Sequence, residues 1–266
     1  MLNVAMLGAS GRMGRAIVPL IVEAGDVTLT GALAAAQDPS IGHDAGVLSG
    51  VAPCGVAVTD DPAVALRGAA VSIDFTRPDA SVEHARLCRE AGCALVVGTT
   101  GHDAAERARL EAVTDRIPVV IAPNMSLGVN LLFRLAELAA RALDTGYDIE
   151  IFEAHHRHKV DAPSGTALGL GRAAATGRGG RLEDLADYIR HGQTGARVPG
   201  RIGFSVMRGG DIVGEHRLVF AGPGEQVELS HLAQDRSSFA RGAIAAARWA
   251  AGRPPGLYTM ADVLGL

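Results

Sequence analysis

Cysteine is scarce: Cys54, Cys88 and Cys93 are the only three in 266 residues, an odd number with no Cys-x-x-Cys spacing. That pattern points to neither a disulfide framework nor a cysteine-built zinc site, and the compartment it suggests is the reducing cytoplasm. An excess of either charge is also missing. With 25 basic against 29 acidic side chains the formal charge is −4, so the chain lacks the electrostatic footprint of a nucleic-acid or membrane-surface binder. No apolar run is long enough to cross a bilayer, and Leu2–Leu7 reads as a strand with no basic leader before it, so neither insertion nor secretion is expected. Repeats and low-complexity tracts are absent too. What these absences leave is an ordinary globular chain, 48% hydrophobic and 20% charged, whose expected partner is a small molecule.

What is present is an alternation of short apolar runs with helix-period segments. Leu2–Leu7, Val27–Leu33, Val71–Phe75, Ala94–Val97 and Ile117–Ala122 are the strand candidates, and Arg12–Ala24, Pro78–Ala91 and Asp103–Thr114 the helices between them. This rhythm predicts an α/β fold, with an N-terminal Rossmann-like doubly wound parallel sheet. It breaks after Asn124, where a helix at Ser126–Leu143 leads to a strand at Asp148–Ala154, a basic tract and a helix from Gly165 to about Thr176. Ile202–Met207, Asp211–Phe220 and Gln226–Leu232 read as antiparallel strands joined by turns at Arg208-Gly-Gly210 and Gly222-Pro-Gly224. The expected organisation is a dinucleotide-binding domain over 1–125, completed by 236–266, and a C-terminal α+β domain with a mixed or antiparallel sheet over 126–235. The Ala-rich pattern at Ser237–Ala251 predicts a helix returning to the first sheet.

Gly8, Gly11 and Gly14 follow the first strand and open the first helix, as a pyrophosphate-binding turn requires. With 34 glycines in the chain this spacing arises by chance roughly 0.5 times, so its position between strand and helix carries the reading. A nucleotide on such a sheet lies across the carboxyl ends of the strands, which nominates Asp74-Phe75-Thr76, Gly98-Thr99-Thr100-Gly101 and Ala122-Pro123-Asn124-Met125 as further loops facing it. The adenine-ribose anchor is harder to find. After Leu33 the chain reads Ala34-Ala35-Ala36-Gln37-Asp38, without the acid that grips ribose hydroxyls or the arginine that accepts a 2′-phosphate. Gln37 and Asp38 are the substitutes on offer.

The segment Glu153-Ala-His155-His156-Arg157-His158-Lys159-Val160-Asp161-Ala162-Pro163-Ser164-Gly165-Thr166 concentrates titratable and cationic groups just before a helix start. Ser164 is the expected N-cap, and the amides of Gly165 and Thr166 would face an anion. Three readings stand: a zinc site built from the histidines, a solvated basic loop, and a catalytic site. In the last, His155 donates or accepts a proton near neutrality, while Lys159 neutralises an anion and serves as a second acid. A substrate with carboxylates that needs a proton suits it.

Gly8-Ala-Ser-Gly-Arg-Met-Gly14, Gly98-Thr-Thr-Gly101, Ala122-Pro-Asn-Met125, the 153–166 tract and Arg208-Gly-Gly-Asp-Ile-Val-Gly-Glu-His216 together resemble the 4-hydroxy-tetrahydrodipicolinate reductase family, also called dihydrodipicolinate reductase. The resemblance runs nearly the full length. It implies an NADH- or NADPH-dependent oxidoreductase that reduces a cyclic imine dicarboxylate in the diaminopimelate route to lysine, working in the cytoplasm as a homotetramer. It implies His155 and Lys159 as proton donors, and His156, Ser164, Gly165 and Thr166 as substrate-binding residues. Gly8, Ala9, Ser10, Gly11, Arg12, Met13, Gly98, Thr99, Thr100, Ala122, Pro123, Asn124 and Met125 are implied to bind cofactor, and no metal is implied. Ala34 and Ala35 stand where the family commonly has an acid and an arginine, so the sequence does not choose between the two cofactors. Another Rossmann-fold amino-acid or sugar-type dehydrogenase and a non-catalytic dinucleotide sensor are the rival readings. Neither accounts for the 153–166 tract.

Overall fold

The computed structural model describes residues 1–266. By contacts the chain divides into two compact units, Met1–Leu127 with Arg236–Gly265, and Gly128–Asp235 with Leu266.

The first unit runs β1 (Leu2–Leu7), α1 (Gly14–Glu23), β2 (Val27–Leu33), α2 (Ala45–Leu48), β3 (Val58–Thr59), α3 (Pro62–Ala65), β4 (Val71–Asp74), α4 (Pro78–Ala91), β5 (Ala94–Val97), α5 (Ala104–Ala112) and β6 (Pro118–Ile121). The intervening chain supplies α6 (Leu127–Ala142), β7 (Asp148–His155), α7 (Gly165–Gly177), α8 (Leu182–Leu185), β8 (Ala186–Asp187), β9 (Ile202–Arg208), β10 (Gly214–Gly222) and β11 (Glu225–Ala233). It then returns to the first unit with α9 (Ser237–Ala250), β12 (Gly256–Tyr258) and α10 (Met260–Leu264).

The seven-stranded sheet has the order β12-β6-β5-β4-β1-β2-β3, and every pairing in it is parallel. Strand order reverses between β1 and β4, the switch point where ligands bind on doubly wound sheets. β1 shows why the strands read as unbroken apolar runs rather than alternating ones. Val4 and Met6 enter one core with Ile17, Ile21, Ala243 and Ile244, while Ala5 and Leu7 enter the other with Leu66, Val82, Ala85 and Leu110. Both faces are covered by helices, so apolar residues are required at every position. Each fully buried valine, leucine, isoleucine or methionine side chain here contributes roughly 1.5–3 kcal/mol. The alanine-rich α9 does pack on this sheet, burying Ala240, Ala243, Ile244, Ala246, Ala247 and Ala250. Gly242 lets it approach closely, since a Cβ there would sit 1.7 Å from the Met125 carbonyl oxygen.

In the second unit α6 and α7 pack Leu132, Ala136, Ala167, Leu170 and Ala174 against Ile149, Ile151, Ile202, Phe204, Leu218 and Phe220 of a mixed sheet. Its order is β11-β10-β7-β9-β8. The expected hairpin between Ile202–Met207 and Asp211–Phe220 does not form. β9 runs parallel to β7 with Ile149 opposite Ile202 and His155 opposite Arg208, while β10 pairs antiparallel with the other edge of β7, Glu215 opposite Ala154. Residues 209–213 therefore cross over the end of β7: the Gly209 N–H donates to the His155 carbonyl at 2.9 Å, and the Arg157 N–H to that of Gly210 at 3.2 Å. A Gly-Gly dipeptide permits a tight hairpin but does not oblige one. β7 takes the centre because its Ile149 and Ile151 belong to the middle of the apolar layer beneath the helices, which requires partners on both edges. The Gly222-Pro-Gly224 turn does join β10 to β11, with Gly222 paired to Glu225 and Gly224 at φ +84°.

Candidate active site

The loops expected to face a dinucleotide all leave the carboxyl ends of parallel strands in the first unit: Gly8–Met13 after β1, Asp74–Thr76 after β4, Gly98–Gly101 after β5 and Ala122–Met125 after β6. The first is folded tightly. Gly8 has φ +86°, and a Cβ on Gly14 would fall 2.3 Å from the Gly8 carbonyl oxygen and 2.5 Å from that of Ala9. α1 starts at Gly14 without a side-chain cap, which leaves the positive end of its dipole for an anion. Ser10, Gly11, Arg12 and Met13 form the rim of this cradle, while Ala9 is buried beneath it. A β-carbon at Gly14 would collide with the loop's own backbone, so its absence permits the tight turn and uncapped helix start that suit a pyrophosphate.

Buried Asp74 holds two of the other loops together. Its Oδ1 accepts from the Thr76 N–H at 2.9 Å, the Thr76 hydroxyl at 2.7 Å and the Thr99 hydroxyl at 2.9 Å, and its Oδ2 meets His84 Nδ1 at 2.7 Å. Gly98 has no side chain because the Phe75 ring lies there, 2.2 Å from where a Cβ would be. Thr99 is buried, Thr100 exposed. In the last loop Ala122 and Met125 are core residues, Pro123 is exposed, and the Asn124 side-chain oxygen accepts from the Ser126 N–H at 2.8 Å. Beyond β2, Ala34 is buried and Ala35 exposed. Of the two substitutes considered there, Gln37 is exposed at φ +66°. Asp38 accepts from the Ser40 hydroxyl at 2.6 Å and the Ser10 hydroxyl at 2.7 Å. Those two hydroxyls hold its carboxyl below the usual range.

The basic tract lies wholly in the second unit. β7 presents Glu153 and His155 on one face, two residues apart. Glu153 is fully buried and meets four donors. Its Oε2 takes His155 Nδ1 at 2.6 Å and Arg208 Nη1 at 2.8 Å, and its Oε1 takes the Ser164 N–H at 2.9 Å and Arg208 Nη2 at 2.8 Å. Burial alone would raise this carboxyl, but Arg208, His155 and the Ser164 amide outweigh it and keep it below the ordinary glutamate value. His155 is 9% exposed. Desolvation lowers its pKa, Glu153 opposes, and the charges of Lys159 and Arg208 add to the lowering, so the result lies below the ordinary imidazole value. Its Nε2 points to Gly214, where a Cβ would lie at 3.1 Å.

Lys159 Nζ pairs with Asp161 Oδ1 at 2.9 Å. His156 is half-buried, and its ring centroid lies 6.2 Å from that of His158. Ser164 caps α7, its hydroxyl accepting from the Ala167 N–H at 3.1 Å, and Gly165 and Thr166 follow as the first helical residues. His216 of β10 reaches the same hydroxyl with Nε2 at 3.1 Å and packs edge-on against His155, centroids 5.1 Å apart. Burial, with the neighbouring His155 second, pushes His216 down to about 3. No set of three or more histidine, cysteine or carboxylate groups is arranged to hold a metal.

The structure thus brings His155, Ser164 and the start of α7 together through one carboxylate. Glu153, Arg208 and His216 complete this cluster and were not singled out as site residues from the sequence. One signal was present for Glu153: Ile149, Ile151, Glu153 and His155 share a face of β7, and an acid in an apolar stripe implies a buried, partnered charge. Arg208 and His216 carry no local signal of that kind.

A parallel sheet with a glycine turn at its switch point, joined in one chain to a unit bearing a carboxylate-held histidine at a helix N-terminus, is the architecture of a dinucleotide-dependent oxidoreductase. Comparison with known proteins narrows the class. The family model for the N-terminus of dihydrodipicolinate reductase matches residues 2–125, and that for its C-terminus matches 128–264. A 4-hydroxy-tetrahydrodipicolinate reductase of Thiobacillus denitrificans is 56% identical over 99% of this chain and 98% of its own. One from Anaeromyxobacter dehalogenans is 52% identical over 100% and 98%. Among solved structures, a dipicolinate-bound dihydrodipicolinate reductase from Paenisporosarcina sp. TG-14 superposes with TM-score 0.78 at 24% identity, covering 98% of both chains. An amine dehydrogenase from Mycobacterium smegmatis shares the fold at TM-score 0.64 and 15% identity, covering 97% of this chain and 94% of its own. The chain belongs to the dihydrodipicolinate reductase family, oxidoreductases of the lysine route that use NADH or NADPH.

Proposed function

We propose that the chain reduces the cyclic imine dicarboxylate derived from 4-hydroxy-tetrahydrodipicolinate to tetrahydrodipicolinate, with His155 supplying the balancing proton. The observation that carries this reading is the buried His155, its Nδ1 occupied by Glu153 and its Nε2 turned toward Gly214, which has no side chain. Gly8–Met13, Gly98–Thr100 and Ala122–Met125 hold the dinucleotide. When bound, the reduced nicotinamide supplies the hydride. Gly165 and Thr166 hold a substrate carboxylate with their amides at the positive end of α7, Ser164 seats that turn, and His156 contributes a further polar contact. Lys159 neutralises substrate charge and is the second proton donor.

The test supplies the substrate freshly from pyruvate and aspartate semialdehyde with the synthase that condenses them, and follows loss of reduced-nicotinamide absorbance. Rapid oxidation of NADH or NADPH is expected, and the ratio of the two rates ranks the cofactors. If both cofactors bind and neither is oxidised, the assignment of His155 and Lys159 is wrong. A homotetramer is part of the same reading, as is a cytoplasmic location. Exposed Val206, Met207, Val227 and Leu232 on β9 and β11 support further association through the second unit. Sedimentation equilibrium at a mass four times that of the chain is the expected result.

A further inference from the structure

We propose that Glu153 is a positioning residue whose one carboxylate sets both the tautomer of His155 and the seat of the turn that opens α7. The inference rests on the reading of His155 as proton donor and goes beyond it.

The geometry leaves the carboxylate no spare role. Each oxygen faces two donors: Oε2 meets His155 Nδ1 and Arg208 Nη1, Oε1 meets the Ser164 N–H and Arg208 Nη2. An ionised carboxylate only accepts, so His155 Nδ1 must carry hydrogen, and the proton that moves is the one on Nε2. The flank of the imidazole is closed by the His216 ring, packed at 69° with centroids 5.1 Å apart. Opposite Nε2, Gly214 supplies no side chain, and a Cβ there would stand at 3.1 Å. One end of the ring is therefore held by Glu153, and the other faces a position that carries no side chain. Through the Ser164 N–H the same carboxylate fixes where α7 begins, so proton donor and anion-binding turn share one anchor. Arg208 Nη2 also donates to the Asp161 carbonyl at 2.7 Å, which extends the anchor to the loop carrying Lys159. The charged and titratable groups around His155 are Glu153 on its own strand, Lys159 on the following loop, Arg208 on β9 and His216 on β10.

Two measurements test this on the full-length enzyme. Nitrogen-15 histidine labelling of the wild type, with His155 assigned by comparison with His155→Gln, should show neutral His155 protonated on Nδ1. A neutral ring protonated on Nε2 would overturn the proposal without any variant at Glu153, and so decides the matter if Glu153→Gln does not fold. In Glu153→Gln, kcat should drop roughly 100-fold, with the KM for reduced cofactor within about twofold of wild type. The alkaline limb of the pH profile should move to lower pH, because the charge favouring the imidazolium is gone, and Glu153→Asp should recover part of both losses. Wild-type turnover in Glu153→Gln overturns the proposal, as does lost turnover with the alkaline limb unmoved, which a merely structural role would give. Unchanged turnover in His155→Gln would instead remove the proton-donor reading itself, a result separable from failure at Glu153.

Discussion

Burial and charge oppose each other at His155. Taking the imidazole out of water disfavours its cation, Glu153 favours it, and burial wins, so its pKa falls below the ordinary value. As the proposed proton donor, His155 must be protonated, hence kcat/KM is expected to fall as pH rises through a value below about 6.5. His155→Gln should lower kcat about 10²- to 10⁴-fold while changing the substrate KM far less, measurable by steady-state kinetics. His216 titrates for stability rather than turnover. Its pKa is lowered from 6.5 to about 3 in the folded protein, so between those values the unfolded chain binds the extra proton. Stability is therefore complete above pH 6.5 and lost as pH falls toward 3. Urea titrations across that range should show His216→Gln with a flatter acid dependence than wild type. Glu153 adds loss in the same direction at lower pH, because its folded pKa is depressed.

At the scale of the element, α1 and α7 are the two helices whose N-termini meet anions in the proposed reaction, and they begin differently. α1 depends on the absence of a side chain at Gly14: Gly14→Ala would drive a Cβ into backbone atoms of Gly8 and Ala9, displacing the loop. Weaker binding of NADH and NADPH alike, read by fluorescence titration, is expected. α7 depends on a side chain that is present. Ser164→Ala removes the hydroxyl that accepts from the Ala167 N–H and should cost about 1 kcal/mol, within a range of roughly 0.5–2, in chemical denaturation. Both starts were legible in the sequence because caps and glycine turns act over three or four residues. β1, β2 and β5 were legible to the residue, since helices on both faces of the sheet demand unbroken apolar runs. β3, β8 and β12, of two, two and three residues, are too short to show a period and exist only because a longer neighbour offers an edge.

For the whole molecule, the consequential feature is that the first unit is discontinuous in sequence. α9 buries seven residues of its fourteen, and β12 pairs with β6. Deleting residues 236–266 should therefore open the apolar layer over the parallel sheet and abolish cofactor binding, with circular dichroism showing loss of that unit's structure. In the intact protein, cofactor at 100 times its Kd should stabilise the unit that binds it by about 2.7 kcal/mol, seen as a rise in melting temperature.

The sequence by itself determined whatever depends on neighbours along the chain: the β-then-α alternation, the glycine turn after β1, and the run from His155 to Thr166 with its N-cap. Family membership was legible there too, carried by contiguous motifs. Tertiary structure alone decided the order of the second sheet, where β7 separates β9 from β10 and turns an expected hairpin into a crossover. It also decided the partners of Glu153, because Arg208 lies 55 residues away and the His216 that meets Ser164 lies 52 residues beyond it. Local propensity cannot select among strands that are equally apolar. The choice is made by which arrangement buries both edges of β7 and gives a carboxylate with no access to water its full set of donors.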